Sequence, residues 1–329
     1  VFFSDLLSGH IWSTGTAGTL NIDRVWPNGS DEVTGLAAHN GFLIIFGKRQ
    51  ILVYANATTP ATMSLSDTVG GIGCIARDSI QSTGKDVLFL SNSGIRSFAR
   101  TIVEKSAPLG DLSRNIRSDF MSIVAGEVLT SIKSVYSEAE AFYLLTLPSV
   151  KEVYCFDTRV QLQDGSYRVT TWNVIEPTAL LSKRNGDLLI GKNGYIGKYS
   201  TYQDHTSSYR MQYFTNHADL GNQNVTSLLK RLKIVVIGGT NQFVTMKWGF
   251  DFSTNYLSDN ALIPVQGVSE YGIGEYGIAE YSDGVALQTL SVQASGSGKI
   301  VQTGYESNIN GAPLSIQRIE IQSKDGKMS

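Results

Sequence analysis

The sequence predicts an all-β chain, and three observations predict it. Short apolar runs rich in Val, Ile, Phe and Tyr recur along the chain, and Asn-Gly or Ser-Gly pairs punctuate them. Charged residues fill only 17% of the 329 positions, whereas glycine fills 33 of them. β-branched and aromatic residues suit a pleated strand, and Asn-Gly supplies the positive φ that a tight hairpin needs. Low charge with high glycine fits many short strands joined by tight turns.

The first two hundred residues carry a degenerate unit: strand, polar turn, apolar strand, glycine turn, strand. It is read in 33–54, 72–99, 129–157 and 178–199, with 1–23 as part of a fifth copy. Asn40-Gly41, Ser93-Gly94, Asn185-Gly186 and Asn193-Gly194 mark its turns. Units begin roughly 40 to 60 residues apart with about four strands each, the period of propeller blades. One blade cannot bury both its faces, so several must stack. Closure of the ring would bring residues 1–4 beside 196–200 in a shared last blade. The start has no Met and reads as the interior of a longer sequence that would supply further N-terminal blade.

One segment breaks the strand pattern. In 111–124 Leu112, Ile116, Phe120 and Ile123 recur at helical spacing, Asp111 or Ser113 offers an N-cap, and Gly126 a stop. A single inserted helix is expected there. Beyond Tyr199 the apolar runs lengthen, at 209–215, 228–237, 243–252, 285–292, 299–306 and 314–322, as in a two-layer antiparallel sandwich. The sequence therefore divides into a β-propeller-like domain, 1–201, and a β-sandwich domain, 202–329.

The chemistry that would mark an enzyme is not legible. Gly71-x-Gly73-x-x-Ala76 and Gly272-x-Gly274-x-x-Gly277 match a dinucleotide fingerprint in letters only, since neither is followed by a helix pattern. Gly296-Ser297-Gly298-Lys299 is followed by Ile300, so it lacks the magnesium-binding hydroxyl of a phosphate loop and reads as a hairpin turn. His10, His39, His205 and His217 stand far apart, without metal-ligand spacing. Asp31-Glu32 and Glu138/Glu140 lie in turn contexts. No catalytic residue, cofactor or metal is predicted. Cys74 and Cys155 sit in apolar runs and read as two buried thiols in a chain assembled in a reducing cytoplasm.

A net charge of -2 argues against a surface built as a whole to grip nucleic acid or anionic lipid. No apolar run reaches the length of a membrane span. The basic cluster Lys230-Arg231-Leu232-Lys233, placed on a strand, would split its cations between two faces, as edge-strand protection or an inter-subunit ion pair. The most distinctive segment is EYGIGEYGIAEY at 270–281. Its glycines disfavour a helix, and tyrosines make good interface residues. Glu270, Tyr271, Glu275, Tyr276, Glu280 and Tyr281 are the candidate residues of a subunit-contact or channel arm, with an arm packed on its own sandwich as the plainer reading.

Several stretches carry a family resemblance: VFFSD at the start, TGLAAHNGFLIIFGKRQILVY, GGIGCIARDSIQSTGKDVLFLSNSGIRSFAR, and in the second domain SLLKRLKIVVIGGTNQFVTMKWGFDF and GAPLSIQRIEI. Together they resemble the tail nozzle, or tail tubular protein B, of short-tailed bacteriophages and the related hub proteins. The resemblance implies a non-enzymatic virion protein, assembled in the host cytoplasm into the tail. It implies a homo-oligomeric ring, a hexamer, below the adaptor and portal, with a fibre or needle attached. Genomic DNA would pass through the ring's channel without specific binding, and no membrane insertion is implied. The rival expectation is a carbohydrate-binding propeller module of a tail, in which Trp12, Trp26, Trp172 or Trp248 would stack on sugars.

Overall fold

The computed structural model describes residues 25–59, 62–105, 111–173, 175–221, 225–264 and 287–326, and the backbone alone of 2–5, 10–13 and 19–21. The chain is all-β and divides into two compact units, Val1–Tyr199 and Ser200–Ser329.

Among the described residues the first unit is a series of five antiparallel sheets, each a run of consecutive strands. The first holds β1 (Phe2–Asp5), β2 (His10–Ser13) and β3 (Thr19–Asn21). The second holds β4 (Val33–His39), β5 (Phe42–Gly47), β6 (Gln50–Ala55) and β7 (Ser64–Gly70). The third holds β8 (Gln81–Ser82), β9 (Val87–Ser91) and β10 (Gly94–Ser97). The fourth holds β11 (Ser134–Ser137), β12 (Phe142–Leu147), β13 (Glu152–Gln161) and β14 (Tyr167–Trp172). The fifth holds β15 (Ala179–Ser182), β16 (Leu188–Lys192) and β17 (Tyr195–Lys198). The leading strands of neighbouring sheets lie side by side, β1 by β4, β8 by β11 and β11 by β15. That is the arrangement of propeller blades.

The two-residue period of a strand explains why the sheets stack. On β5, Ile44 and Phe46 face the third sheet and join Cys74, Val87 and Phe89 in one core. Leu43 and Ile45 point the other way, to a core with Trp26, Val33, Leu52 and Tyr54. On β9 the alternate residues Leu88 and Leu90 meet Tyr143, Leu145 and Leu147 of β12. The opposite face of β12, Phe142 and Leu144, meets Leu188 and Ile190 of β16. Each such side chain contributes about 1.5–3 kcal/mol by leaving water. Strands β5, β9 and β12 therefore read as continuous apolar runs, not as alternating ones.

The helical content differs from the expected single insertion. Two α-helices follow the third sheet: α1 (Phe98–Glu104) and α2 (Arg117–Ala125), the second preceded by a tight 3-10 turn at Arg114–Ile116. Ser97 caps α1 by accepting from the Arg100 N–H at 3.1 Å. α1 ends at Lys105 with a left-handed φ of 45°. Neither Asp111 nor Ser113 caps α2. Both are buried in the segment before it, where the Asp111 carboxylate accepts from the Ser113 N–H at 2.9 Å and hydroxyl at 2.7 Å. Gly126 is the C-cap, as the sequence predicts.

The second unit is a two-layer antiparallel sandwich. One layer orders β18 (Tyr209–Phe214), β25 (Ile300–Ile309), β21 (Gln242–Phe250) and β22 (Leu257–Ile263), with β19 (Ala218–Asp219) also on β25. The other centres on β20 (Ser227–Gly238), which pairs with β23 (Leu287–Gln293), β24 (Ser297–Gly298) and β26 (Leu314–Asp325). Leu232, Ile234 and Val236 of β20 face Val244, Met246 and Trp248 of β21 across one core.

Two local expectations change here. Ser297-Gly298 is no hairpin turn but the short strand β24, paired to Ser227 and Leu228. The basic cluster lies on β20, a central strand and not an edge. The register of β20 on β26 skips Lys230, a bulge that leaves Lys230 exposed and turns Leu232 into the core.

Candidate contact surfaces

The six residues expected to form a contact arm, Glu270, Tyr271, Glu275, Tyr276, Glu280 and Tyr281, lie outside the described residues. The same holds for Gly272, Gly274 and Gly277. The other dinucleotide-like pattern is explained by packing: a Cβ on Gly73 would meet the Gly47 carbonyl oxygen and lie 2.5 Å from the Arg49 nitrogen. Glycine is there so that the irregular segment after β7 can press against the β5–β6 turn, where the Cys74 N–H donates to the Gly47 carbonyl at 2.8 Å.

Three of the acidic groups make local contacts. Asp31 accepts from the Arg49 N–H at 2.8 Å, and Glu32 pairs with Lys48 at 2.7 Å. Asp78 holds Arg77 at 2.8 Å and Lys133 at 2.5 Å beside a small cleft lined by Arg77, Asp78, Leu129 and Thr130. Burial works to raise its carboxyl, but the two cations outweigh it and hold it below the usual carboxylate range. Among the described residues no three His, Cys, Asp or Glu side chains are grouped to hold a metal. Burial pushes the Cys74 thiol up to about 11 and the Cys155 thiol up to about 12, away from nucleophilic use.

Of the tryptophans, Trp26 and Trp248 fill cores, and the Trp248 ring N–H donates to the Ser295 carbonyl at 2.8 Å. The side chain of Trp12 is outside the described residues. Trp172 is half-buried and stacks on Tyr199, with ring centroids 5.7 Å apart and planes 3° from parallel, while Phe142 meets both edge-on.

A buried polar knot closes the outer edge of the third sheet. The backbone of Arg96 on β10 forms an isolated antiparallel bridge with that of Asp111. The Leu112 N–H donates to the Ile95 carbonyl at 2.8 Å, and the Ile95 N–H donates to the Ser113 hydroxyl at 3.1 Å. The Tyr167 N–H donates to the Leu112 carbonyl at 2.9 Å, which ties the same segment to β14. Burial pulls the Arg96 guanidinium below its ordinary value, and the Asp111 carboxylate opposes that shift. Asp111–Ser113 thus takes the place of a fourth strand on this blade.

The fifth sheet has no such cover among the described residues. β17 pairs with β16 alone, and all four of its residues are exposed, Tyr195 at 76% and Ile196 at 81%. Among the described residues Phe2–Asp5 pairs with His10–Ser13, and no pairing of it with β17 is seen. Leu188 and Ile190 face inward to the fourth sheet. On the far face lie Ala179, Leu181, Leu189, Gly191 and Ile196, brought together by the register of β15, β16 and β17. Leu181 there is 57% exposed. Sequence reading missed this surface, because Tyr-Ile-Gly-Lys looks like any blade strand.

No protein-family profile matches the chain, and no curated protein does. Among solved structures, the chain has a likeness to PorZ, a bacterial surface component of the type-IX secretion system of Porphyromonas gingivalis. The TM-score is 0.26 and the identity 13%, over 68% of this chain and 30% of that one. A second likeness is to a glycoside hydrolase family 43 arabinoxylan arabinofuranohydrolase from Bacillus subtilis. Its TM-score is 0.22 and its identity 9%, over 94% of this chain and 59% of that one. The chain therefore spans less than two thirds of either protein, and likenesses at this level assign neither fold nor function.

Proposed function

We propose that the chain is a non-enzymatic building block of a short-tailed phage virion, a tail nozzle or hub subunit that closes a homo-oligomeric ring below the adaptor. The observation that carries this reading is where the buried polar and ionisable groups are used. Tyr143 and Ser134 of the fourth sheet donate to the Ser79 and Asp78 carbonyls before the third, and Asp111 is spent on holding a segment along the edge of its own blade. Stiff stacked sheets suit a part whose task is to hold shape. The open fifth sheet gives such a part a surface on which to assemble.

In this reading the ring is six-fold, a fibre or needle attaches to it, and duplex DNA passes its channel without being held by phosphate contacts. Cryo-electron microscopy of virions carrying the chain tests it. Density for several copies arranged as a ring at the tail is the expected result. A monomeric copy in the virion, or absence of the chain from it, overturns the reading.

A further inference from the structure

The outward face of one sandwich layer gathers positive charge, and a bulge is what gathers it. Strict alternation along β20 would place Lys230 on one face and Arg231 and Lys233 on the other. The extra residue in the register of β20 on β26 changes that. Leu229 and Leu232 stand three apart and both lie in the core, so Lys230 and Arg231 between them are both turned away from it, with Lys233 next on the same side. On β26, Arg318 stands beside Val235 and Lys324 beside Leu228, again on the outward side.

The result is a cation at each outward step of the strand. Lys324, then Lys230 with Arg231, then Lys233, then Arg318 follow one another about 7 Å apart, over about 20 Å in all. Among the described residues of this face, these five cations stand against Glu320, a net of +4, while the whole chain is at -2. Glu320 is engaged by Arg318. Among the described residues no carboxylate pairs with Lys230, Arg231, Lys233 or Lys324. Polar uncharged side chains stand between the cations, Ser291 and Gln293 of β23 and Gln322 of β26.

We propose that this face binds the phosphodiester backbone of duplex nucleic acid, without regard to sequence. Duplex DNA carries about one charge per 1.7 Å of its axis, so a row of this length meets several phosphates. Lys, Arg, Ser and Gln are side chains that reach phosphate oxygens. Protein interfaces are built otherwise, enriched in aromatic residues and depleted in Lys and Ser. β20, β23 and β26 contain no aromatic residue on which an unpaired base could stack, which selects a duplex over a single strand. The inference goes beyond the ring reading and does not need it. Phosphate contacts of this kind let a duplex slide, so they guide it without fixing it in place.

The test is fluorescence anisotropy of a short labelled DNA duplex titrated with the full chain at several salt concentrations. Binding should weaken about a hundredfold between about 50 and 200 mM salt, the dependence of about four phosphate contacts. Lys230→Gln combined with Lys233→Gln should weaken binding about tenfold or more at low salt and lower the slope of log affinity against log salt by about 2. Lys324→Gln, on a different strand, should lower that slope by about 1. Lys85→Gln combined with Arg184→Gln removes the same charge from exposed sites elsewhere and should change neither affinity nor slope. All three variants should keep the wild-type circular dichroism. Wild type that shows no salt-sensitive binding overturns the proposal, as does a Lys85 and Arg184 pair that weakens binding as much as the Lys230 and Lys233 pair. A poly-glutamate chain that competes as well as the duplex at equal charge also overturns it, and would make the face a site for an acidic protein. The ring reading stands or falls separately, on the density in the virion.

Discussion

The Tyr143 hydroxyl donates to the Ser79 carbonyl at 2.8 Å, across 64 residues of chain. It joins the fourth sheet to the turn that leads into the third. The Ser134 hydroxyl donates to the Asp78 carbonyl at 2.6 Å, and the Gln81 amide donates to the Ser134 carbonyl at 3.1 Å. Neighbouring blades are thus held by oriented polar contacts at their leading edges as well as by apolar faces. Tyr143 is fully buried, so Tyr143→Phe leaves a carbonyl without its donor. A loss of about 1–2 kcal/mol in urea unfolding is expected, with little change in the denaturant slope.

Burial also keeps Tyr143 from ionising, pushing its hydroxyl far above the usual tyrosine value. The thiols follow the same logic. Cys74 is raised to about 11 and Cys155 to about 12, against about 8.5 for an unfolded cysteine. A group raised on folding gives stability that is full below the unfolded value and is lost as pH climbs through the folded one. The chain should therefore lose stability from about pH 8.5 upward. At about pH 8, a thiol reagent should modify the native protein slowly and release two thiols per chain once urea is added, matching Cys74 and Cys155. Rapid native modification would contradict their burial.

How much of this was legible in the sequence depends on what each strand buries. β5, β9, β12 and β20 were readable because they are central, and their apolar residues stand in runs or in strict alternation. β7, β14 and β22 were not. SLSDTVG, YRVTTW and LSDNALI each bury only one or two residues, and an outer strand held by its backbone ladder leaves little side-chain signature. α1 was missed for a similar reason: only Phe98 and Thr101 are buried in it, and it ends on Lys105, not on glycine. The one available clue was Ser97, a capping residue placed just before it. The open edge at Ile196 was hidden for another reason, since exposure depends on what fails to pack there and leaves no mark in the residue itself.

The acid side has its own set of groups. Hydrogen bonds from Lys105 hold Asp67 low, and those from Arg159 hold Asp157 low. Burial works to raise Glu306, but Lys247 at 2.5 Å and Arg210 at 2.6 Å outweigh it and keep it low. A group lowered on folding gives stability that is present above the unfolded value and lost as pH falls through the folded one. Stability should therefore hold down to about pH 4 and fall below it. Glu306 ties β18 to β21 across β25, so Glu306→Gln should cost about 1 kcal/mol at neutral pH and flatten the acid limb. An unchanged limb would show that the three strands hold without it.

Gly94 gives the sharpest test of the polar knot on the third sheet. Its φ is +125°, which side-chain-bearing residues rarely adopt. A Cβ there would also press on the Asp111 carboxylate and lie 2.5 Å from the Ser113 hydroxyl. Those two groups hold the segment that stands in for a fourth strand, so they cannot yield without opening the sheet edge. Gly94→Ala should then cost more than the roughly 1 kcal/mol of backbone strain alone. Ser113→Ala should cost about 1–2 kcal/mol by leaving the buried Ile95 N–H without its acceptor. Hydrogen exchange at Ile95 and Leu112 reads the local effect. Both amides should lose protection together in either variant, whereas an effect spread evenly over the unit would mean that the knot is not what closes this edge.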